Sequence, residues 1–147
     1  MICIPGKIQG KGRPRFYGHH AVTPEATVNY EAKIAEAYKA SIRSGEDVYH
    51  EGPVSVLITV DYAIPESYSK KKKHMCSCDA IRPTKKPDID NVAKAVLDGL
   101  NGVAYKDDTQ VVCLQVIKGW ALGAEELRVY VTDTPCGEVP SESTKTS

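Results

Sequence analysis

The feature that most constrains the fold is an amphipathic helix, predicted to run from about Asp88 or Asp90 to Asn101. Apolar residues recur every three or four positions, as one buried face of a helix requires. These residues are Ile89, Val92, Ala93, Val96, Leu97 and Leu100. Such a stripe must pack against another element, so the chain has to build a core around it.

Acidic residues flank this helix at both ends. Asp88 and Asp90 lie at its start, and Asp107 and Asp108 follow it. Crowded carboxylates repel one another unless a cation holds them, and Mg²⁺ prefers oxygen ligands completed by water and phosphate. Asp88, Asp90 and Asp108 are therefore predicted to bind a divalent cation that assists phosphodiester hydrolysis. Lys94, one turn after Asp90, is placed to hold an acid or to stabilise the transition state.

A simpler interpretation of the same acids stays open. Asp88 and Asp90 are both good helix-capping residues, and lysines lie close to them in sequence. The acids would then cap the helix and form salt bridges, without any catalytic role. The two interpretations differ in whether the carboxylates are already engaged within the protein.

The remaining pattern predicts an α+β fold of one domain, with a small mixed β-sheet of about four strands packed with two main helices. Residues 53–64 alternate apolar and polar side chains, which is typical of a strand. Further strands are predicted within 2–8, 111–118 and 127–132, an α-helix from Thr23-Pro24 to Gly45, a long loop over 66–87 and a hairpin connection over 119–126. The predicted domain is 1–132, followed by a polar, disordered tail over 133–147.

The net charge is zero, but basic residues are concentrated in two segments, 1–24 and 69–86. Local positive fields of this kind attract nucleic acid, although basic loops are also commonly just solvated. Residues 10–18 are interpreted as a flexible basic arm in which Phe16 or Tyr17 could stack on a base. The predicted DNA-binding residues are Lys11, Arg13, Arg15, Lys70, Lys71, Lys72, Lys73, Lys85 and Lys86.

The five cysteines are odd in number, and the N-terminal residues do not resemble a signal peptide. No apolar run approaches the roughly 18 residues that span a membrane. Reduced thiols, a cytoplasmic location and no membrane partner are therefore expected. A zinc site at residues 74–78 is a minor alternative, because its Cys and His spacing is unusual.

Three motifs of the chain resemble the RusA family of crossover-junction (Holliday junction) endodeoxyribonucleases of bacteria, phages and prophages. They are Lys86-Pro87-Asp88-Ile89-Asp90-Asn91-Val92-Ala93-Lys94, Leu97-Asp98-Gly99-Leu100-Asn101-Gly102 and Asp107-Asp108-Thr109-Gln110-Val111. The N-terminal Lys11-Gly12-Arg13-Pro14-Arg15-Phe16 and Thr23-Pro24 resemble the longer, phage-type members. The resemblance covers roughly residues 1–132.

The resemblance implies that Asp88, Asp90 and Asp108 bind the metal, that Lys94 is essential and that Asp107 is an accompanying acid around the metal. It also implies Mg²⁺, with Mn²⁺ as a substitute, a homodimer, and paired incisions in opposing strands of four-way DNA junctions during recombination and repair. Two alternatives remain: a non-catalytic protein that binds branched DNA, and a flap or single-strand nuclease.

Overall fold

The computed structural model describes residues 1–12, 15–22 and 24–133, with only the backbone described at Arg15. It contains six strands, three α-helices and one 3₁₀ turn in this part of the chain. In chain order they are β1 (Ile2–Pro5), β2 (Arg15–Tyr17), β3 (His20–Val22), α1 (Glu25–Arg43), β4 (Val54–Ala63), α2 (Lys70–Ser77), α3 (Ile89–Leu100), the 3₁₀ turn (Asp108–Gln110), β5 (Val111–Ala121) and β6 (Glu126–Thr132).

Four of the strands form a mixed sheet in the order β1-β6-β4-β5, which confirms the predicted α+β class. β6 is antiparallel to both β1 and β4, whereas β4 and β5 are parallel. A parallel pair requires a crossover, and α3 lies in the connection between β4 and β5. The predicted hairpin over 119–126 is wrong, because β4 lies between β5 and β6 in the sheet.

The core lies between one face of the sheet and the two long helices. Along β4, buried residues alternate with half-buried ones, as the sequence pattern predicts. Tyr30, Ile34 and Tyr38 of α1 and Val92, Val96 and Leu100 of α3 belong to the same buried cluster as the inner side chains of β4. A Cβ at Gly99 would lie 3.0 Å from the Glu31 carbonyl oxygen and 3.0 Å from Ile34 Cβ, so this glycine lets α1 and α3 approach closely.

Both long helices occur where the sequence predicts them. α1 ends before Gly45, whose φ of +84° favours glycine, while the predicted N-cap Thr23 lies outside the described residues. α3 follows Asp88 and ends at Leu100, before Gly102 with φ +78°. Ile89 was predicted to be buried, but its side chain is 44% exposed because it lies at the open end of the helix.

The predicted loop over 66–87 contains α2, so the assignment of that whole segment to a loop is wrong. Lysine is a good helix former, and the Ser69 hydroxyl accepts a hydrogen bond from the Lys72 backbone N–H at 3.1 Å. Periodicity gave no signal, because only Cys76 of this helix is buried.

The cysteines depart in part from the expectation of reduced thiols. Cys3, Cys76 and Cys78 have free thiols, whereas Cys113 is disulfide-bonded. Among the described residues no helix is long and apolar enough to cross a membrane. The tail predicted over 133–147 lies, from residue 134 onward, outside the described residues.

Candidate active site

The start of α3 presents two carboxylates that have no partner among the residues that the structure describes. Asp88 is the N-cap residue, with φ −63° and ψ 151°, yet its side chain makes no capping hydrogen bond. Asp90 lies in the first helical turn, and both side chains are exposed. Neither carboxylate forms a hydrogen bond or an ion pair with any residue in the described ranges. The interpretation of these acids as capping or salt-bridging groups therefore lacks its expected contacts.

Asp108, the third predicted ligand, lies beyond the opposite end of α3. Burial raises the pKa of Tyr62 to about 12, assisted by the charges of Glu125 and Asp88, so Asp88 is near the C-terminal end of β4. Burial and then the Asp108 charge raise the pKa of Tyr105, whose hydroxyl donates to the Leu97 carbonyl oxygen at 3.0 Å in the last turn of α3. The twelve residues of α3 span about 18 Å between these two ends.

The described part of the chain therefore does not bring the three predicted ligands together. Within residues 1–12, 15–22 and 24–133 there is no group of three or more His, Cys, Asp or Glu side chains arranged to hold a metal ion. Asp88 and Asp90 alone fit the partial protein shell that is usual for Mg²⁺, which takes one or two carboxylates and completes its shell with water and phosphate.

The turn that carries Asp108 is fixed by Gln110, a residue to which the sequence had assigned no role. The Gln110 side-chain oxygen accepts hydrogen bonds from the backbone N–H groups of Lys106 at 2.8 Å and Asp107 at 3.2 Å. Its side-chain nitrogen donates to the carbonyl oxygens of His50 at 3.0 Å and Gly52 at 2.9 Å. Asp108 is thus held at a defined position at the start of β5.

Lys94 lies in the middle of α3 with an exposed side chain. It was predicted either to hold an acid or to act on the substrate. It forms no ion pair with any residue in the described part of the chain. The Lys94 ammonium is therefore available to a ligand at the surface.

A basic cavity of about 660 Å³ adjoins Asp88. Its wall contains charged residues, namely Lys7, Lys11, Lys85, Lys86, Asp88 and Glu125, together with Ile8, Gln9, Gly10, Pro87 and Asn91. Lys7, Lys85 and Lys86 form no ion pair within the described ranges, so this wall can bind an anion next to a cation held by Asp88. Lys7 and Glu125 were not among the predicted site residues, because each is isolated from the acidic motif in sequence.

Lys118 extends this basic surface and was also missed, because it looks like an ordinary position in a strand. Its ammonium donates to the Lys85 carbonyl oxygen at 2.8 Å and lies 5.6 Å from the centre of the Tyr62 ring. The Lys85 ammonium lies 5.3 Å from the same ring centre. The Tyr62 hydroxyl donates to the Pro87 carbonyl oxygen at 3.3 Å, so β4, β5 and the segment before α3 are tied together here.

Lys11 is held by the protein and is only 18% exposed. Its ammonium lies 2.7 Å from a Glu31 carboxylate oxygen and 3.0 Å from an Asp98 oxygen. Burial lowers the pKa of Lys11, but the hydrogen bonds and charges of Glu31 and Asp98 outweigh burial and raise it above 10.5. Lys11 was predicted to bind DNA, and in the structure it joins α1 to α3 instead.

The segment around Lys11 is docked on the protein, contrary to the prediction of a flexible arm. The Lys11 backbone N–H donates to the Asn91 carbonyl oxygen at 2.8 Å. A Cβ at Gly10 would lie only 2.7 Å from Pro87 Cβ, and one at Gly12 only 2.7 Å from Pro24 Cγ. Gly10 therefore lets this segment lie against the loop that precedes α3, and Gly12 lets it lie against the start of α1.

The hairpin β2–β3 follows this segment and carries two exposed aromatic residues. Phe16 is 75% exposed and Tyr17 is 62% exposed. Both are available for the base stacking proposed from the sequence. Arg13 lies outside the described residues, as does the side chain of Arg15, so their predicted DNA contacts stay predictions.

The lysine run of α2 is mostly open to solvent. Lys70 and Lys71 are exposed and form no ion pair within the described ranges, while the Lys72 ammonium lies 4.0 Å from the centre of the Tyr68 ring. Lys73 lies 3.7 Å from a Glu66 carboxylate oxygen. The run stays a predicted DNA-binding surface.

Comparisons with known proteins agree with the motifs. The model of the endodeoxyribonuclease RusA family matches residues 5–132. A protein of Bacillus subtilis (strain 168), the uncharacterized protein YqaN, is 49% identical over 141 residues, which cover 89% of this chain and 95% of that protein. The family match spans all three motifs and the strands β4, β5 and β6 of the sheet.

Proposed function

This chain belongs to the RusA family of endodeoxyribonucleases, and from that premise we propose that it is a Mg²⁺-dependent, structure-selective nuclease that resolves four-way DNA junctions. It would make paired incisions in opposing strands during recombination and repair. The proposed nuclease domain is residues 1–132, acting in the cytoplasm of a bacterial or phage-infected cell.

One observation carries this proposal: Asp88 and Asp90 are exposed without a partner among the described residues, and Asp88 lines a cavity that also contains four lysines. Acids without a partner beside a basic cavity suit a cation and a phosphodiester together. A divalent ion bound by these carboxylates would supply charge neutralisation and an activated water; Mn²⁺ would substitute for Mg²⁺.

The other residues of the site position the DNA. Lys7, Lys85 and Lys86 would bind backbone phosphates on the cavity side of Asp88. Lys94 would approach the scissile phosphate from the exposed side of α3 and stabilise the negative charge that grows on it in the transition state. Asp107, which is exposed beside Asp108, would act from outside the first ring of ligands.

We also propose that the protein acts as a homodimer, since two incisions in symmetry-related strands require two sites. The support is β5, an edge strand of eleven residues with exposed apolar side chains. Val112 is 55% exposed, Leu114 43% and Ile117 38%. A long apolar edge strand is a ready surface for pairing with another chain.

The test is cleavage of a synthetic four-way junction by the full chain, with Mg²⁺ or with EDTA. Paired incisions that give nicked duplexes only with the metal are expected, and Asp90→Asn should give no products. Flap and linear duplex substrates at equal concentration serve as controls for structure selectivity.

The other outcomes of this assay separate the alternatives. Tight junction binding without cleavage, identical in wild type and Asp90→Asn, would contradict the proposal and indicate a non-catalytic binding protein. Faster cleavage of the flap than of the junction would contradict the junction substrate and indicate a flap nuclease.

A further inference from the structure

We propose that Glu125 is a positioning residue for DNA binding, which holds Lys7 in the cavity wall so that the Lys7 ammonium can bind a backbone phosphate. This inference rests on the proposed nuclease function and names what sets one part of its DNA-binding surface. It follows from the contacts of Glu125, from the place of Lys7 between them, and from the charge of the Glu125 carboxylate.

Glu125 connects three parts of the chain at the cavity that Asp88 also lines. It is half-buried and lies in the connection between β5 and β6. Its backbone carbonyl oxygen accepts a hydrogen bond from the Gly6 N–H at 2.9 Å. One carboxylate oxygen accepts from the Ile8 N–H at 2.8 Å, and the other accepts from the Ala63 N–H at 3.4 Å. One residue therefore holds both the segment that follows β1 and the end of β4.

Lys7 lies between the two backbone groups of this segment that Glu125 binds. Gly6 precedes it and Ile8 follows it, and the Ile8 side chain is buried in the core. Lys7 itself is exposed, lines the cavity and forms no ion pair with any residue in the described ranges. Its backbone is thus fixed on both sides, while its ammonium is available to a ligand.

The segment over 6–10 runs from the Glu125 contacts to the loop that precedes α3. At its far end, a Cβ at Gly10 would lie only 2.7 Å from Pro87 Cβ, so the two backbones are in close contact there. Glu125 fixes the other end of the same segment. The position of Lys7 in the cavity wall therefore depends on Glu125.

The charge of Glu125 does not by itself favour DNA binding. Its carboxylate lies in a wall with four lysines, yet it forms no ion pair with any residue that the structure describes. A negative charge at this place repels phosphates. An ionised carboxylate does, however, accept stronger hydrogen bonds from backbone N–H groups than a neutral group does. The contacts of Glu125, and not its charge, are therefore what would serve DNA binding.

The variant Glu125→Gln separates positioning from charge. The amide keeps the shape of the side chain, but only its oxygen can accept, so one of the two backbone N–H groups loses its acceptor. Removal of a negative charge alone should strengthen junction binding and leave its salt slope unchanged. Loss of the Lys7 contact should instead weaken binding by roughly fivefold at low salt and reduce the salt slope by about 1. We expect the second result.

The measurement is binding of the full chain to a synthetic four-way junction in EDTA, from low to high salt. Lys7→Ala should reduce the salt slope as Glu125→Gln does, and the double variant should show no further reduction, because both act through one phosphate contact. Glu125→Asp keeps the charge but shortens the reach of the carboxylate, so it should also reduce the slope. Urea unfolding checks that each variant is folded under the binding conditions.

The matched control is Glu126→Gln, which removes the same charge from the next residue. Glu126 forms an ion pair with Arg128 on β6 and does not line the cavity. The salt slope of this variant should equal that of the wild type, so a reduced slope would trace the effect to net charge.

Three results would overturn the positioning role. The first is binding by Glu125→Gln that is as tight as, or tighter than, wild-type binding, with an unchanged salt slope. The second is a further reduction of the slope in the double variant. The third is loss of Mn²⁺ binding in Glu125→Gln, which would place Glu125 among the metal ligands. Failure of the nuclease proposal would be recognised separately, as a wild-type chain that binds the junction but does not cleave it with Mg²⁺.

Discussion

Asp90 and Asp98 lie on the same helix about two turns apart, but their surroundings differ. Asp98 is 3.0 Å from the Lys11 ammonium, in a half-buried group that also contains Glu31. Asp90 is exposed and forms no ion pair in the described ranges. One acid joins elements of the fold together, while the other is left for a ligand.

The difference comes from what packs beside each turn of α3. The last turn of the helix packs against α1 at Gly99, and the Lys11 side chain reaches Asp98 there and supplies the compensating charge. The first turn lies beside a cavity, where the nearby lysines stay separate from the acids. The proposed function assigns ligand binding to this open end of the helix, where the carboxylates have no described partner.

The sharpest way to break this comparison is to neutralise each acid in turn. Asp90→Asn should lower the junction-cleavage rate by roughly 10²–10⁴-fold and leave the free energy of unfolding unchanged. Asp98→Asn should lower the free energy of unfolding by about 1 kcal/mol and retain cleavage. Cleavage kinetics and urea unfolding measure the two effects. A loss of stability in Asp90→Asn equal to that in Asp98→Asn would show that the two ends do not differ.

Lys94 and Lys39 provide the next contrast, because both are exposed helical lysines on different helices. Lys94→Ala should lower the cleavage rate by on the order of 10²-fold with little change in junction affinity, since its charge acts in the transition state. Lys39→Ala, which removes only an ion pair with Glu36 at 3.3 Å, should change neither. Single-turnover kinetics measure the cleavage rate, and equilibrium binding measures the junction affinity. An equal loss of binding in Lys94→Ala would assign Lys94 to phosphate anchoring.

Two tightly packed glycines, Gly10 and Gly99, allow the start and the end of α3 to be disturbed separately. Gly10→Ala should displace the loop before α3, because the added Cβ meets Pro87, and should slow cleavage by roughly tenfold through misplacement of Asp88. Gly99→Ala presses on α1 instead and should cost about 1–3 kcal/mol of stability while cleavage by the folded fraction persists. Unchanged cleavage in a well-folded Gly10→Ala protein would remove segment 10–12 from the support of the site.

The smallest expected effect concerns the cavity lysines. Replacing Lys85 and Lys86 with alanine should reduce the salt slope of junction binding by about 2, one unit for each lost phosphate contact. The same double change at Lys33 and Lys39, on the outer surface of α1, should leave the slope unchanged. Binding measured from low to high salt gives both slopes. Equal slopes for the two double variants would exclude the cavity from the DNA interface.

The sequence predicted the elements with strong periodicity and the end of α3 that carries the acids. The alternation in β4 and the stripe of α3 placed both elements to within one or two residues. Asp88, Asp90 and Lys94 were selected because crowded carboxylates repel one another unless a cation holds them. All three are exposed in the structure, and their roles in binding a metal and in catalysis stay predictions. The docking of Lys11 could not be predicted, since its partners Glu31 and Asp98 are distant in sequence.

Other features depend on three-dimensional arrangement that local patterns do not contain. α2 has a single buried residue, so the lysine run looked like a loop. The strand order was missed because consecutive strands such as β5 and β6 usually pair, and here β4 separates them. The separation of Asp108 from Asp88 could not be predicted either, because it depends on the direction in which α3 runs relative to β5.

The position of β6 has a consequence for when this protein can act. β6 is inserted between β1 and β4, so residues 126–129 supply the sheet partner of residues 2–5, and the same strand pairs along most of β4. During synthesis on the ribosome the sheet therefore cannot close until the last strand has emerged. A nascent or truncated chain that lacks β6 would contain every proposed ligand but not the strand that joins β1 to β4, so we expect the site to become ordered only after residues 126–132 have been made.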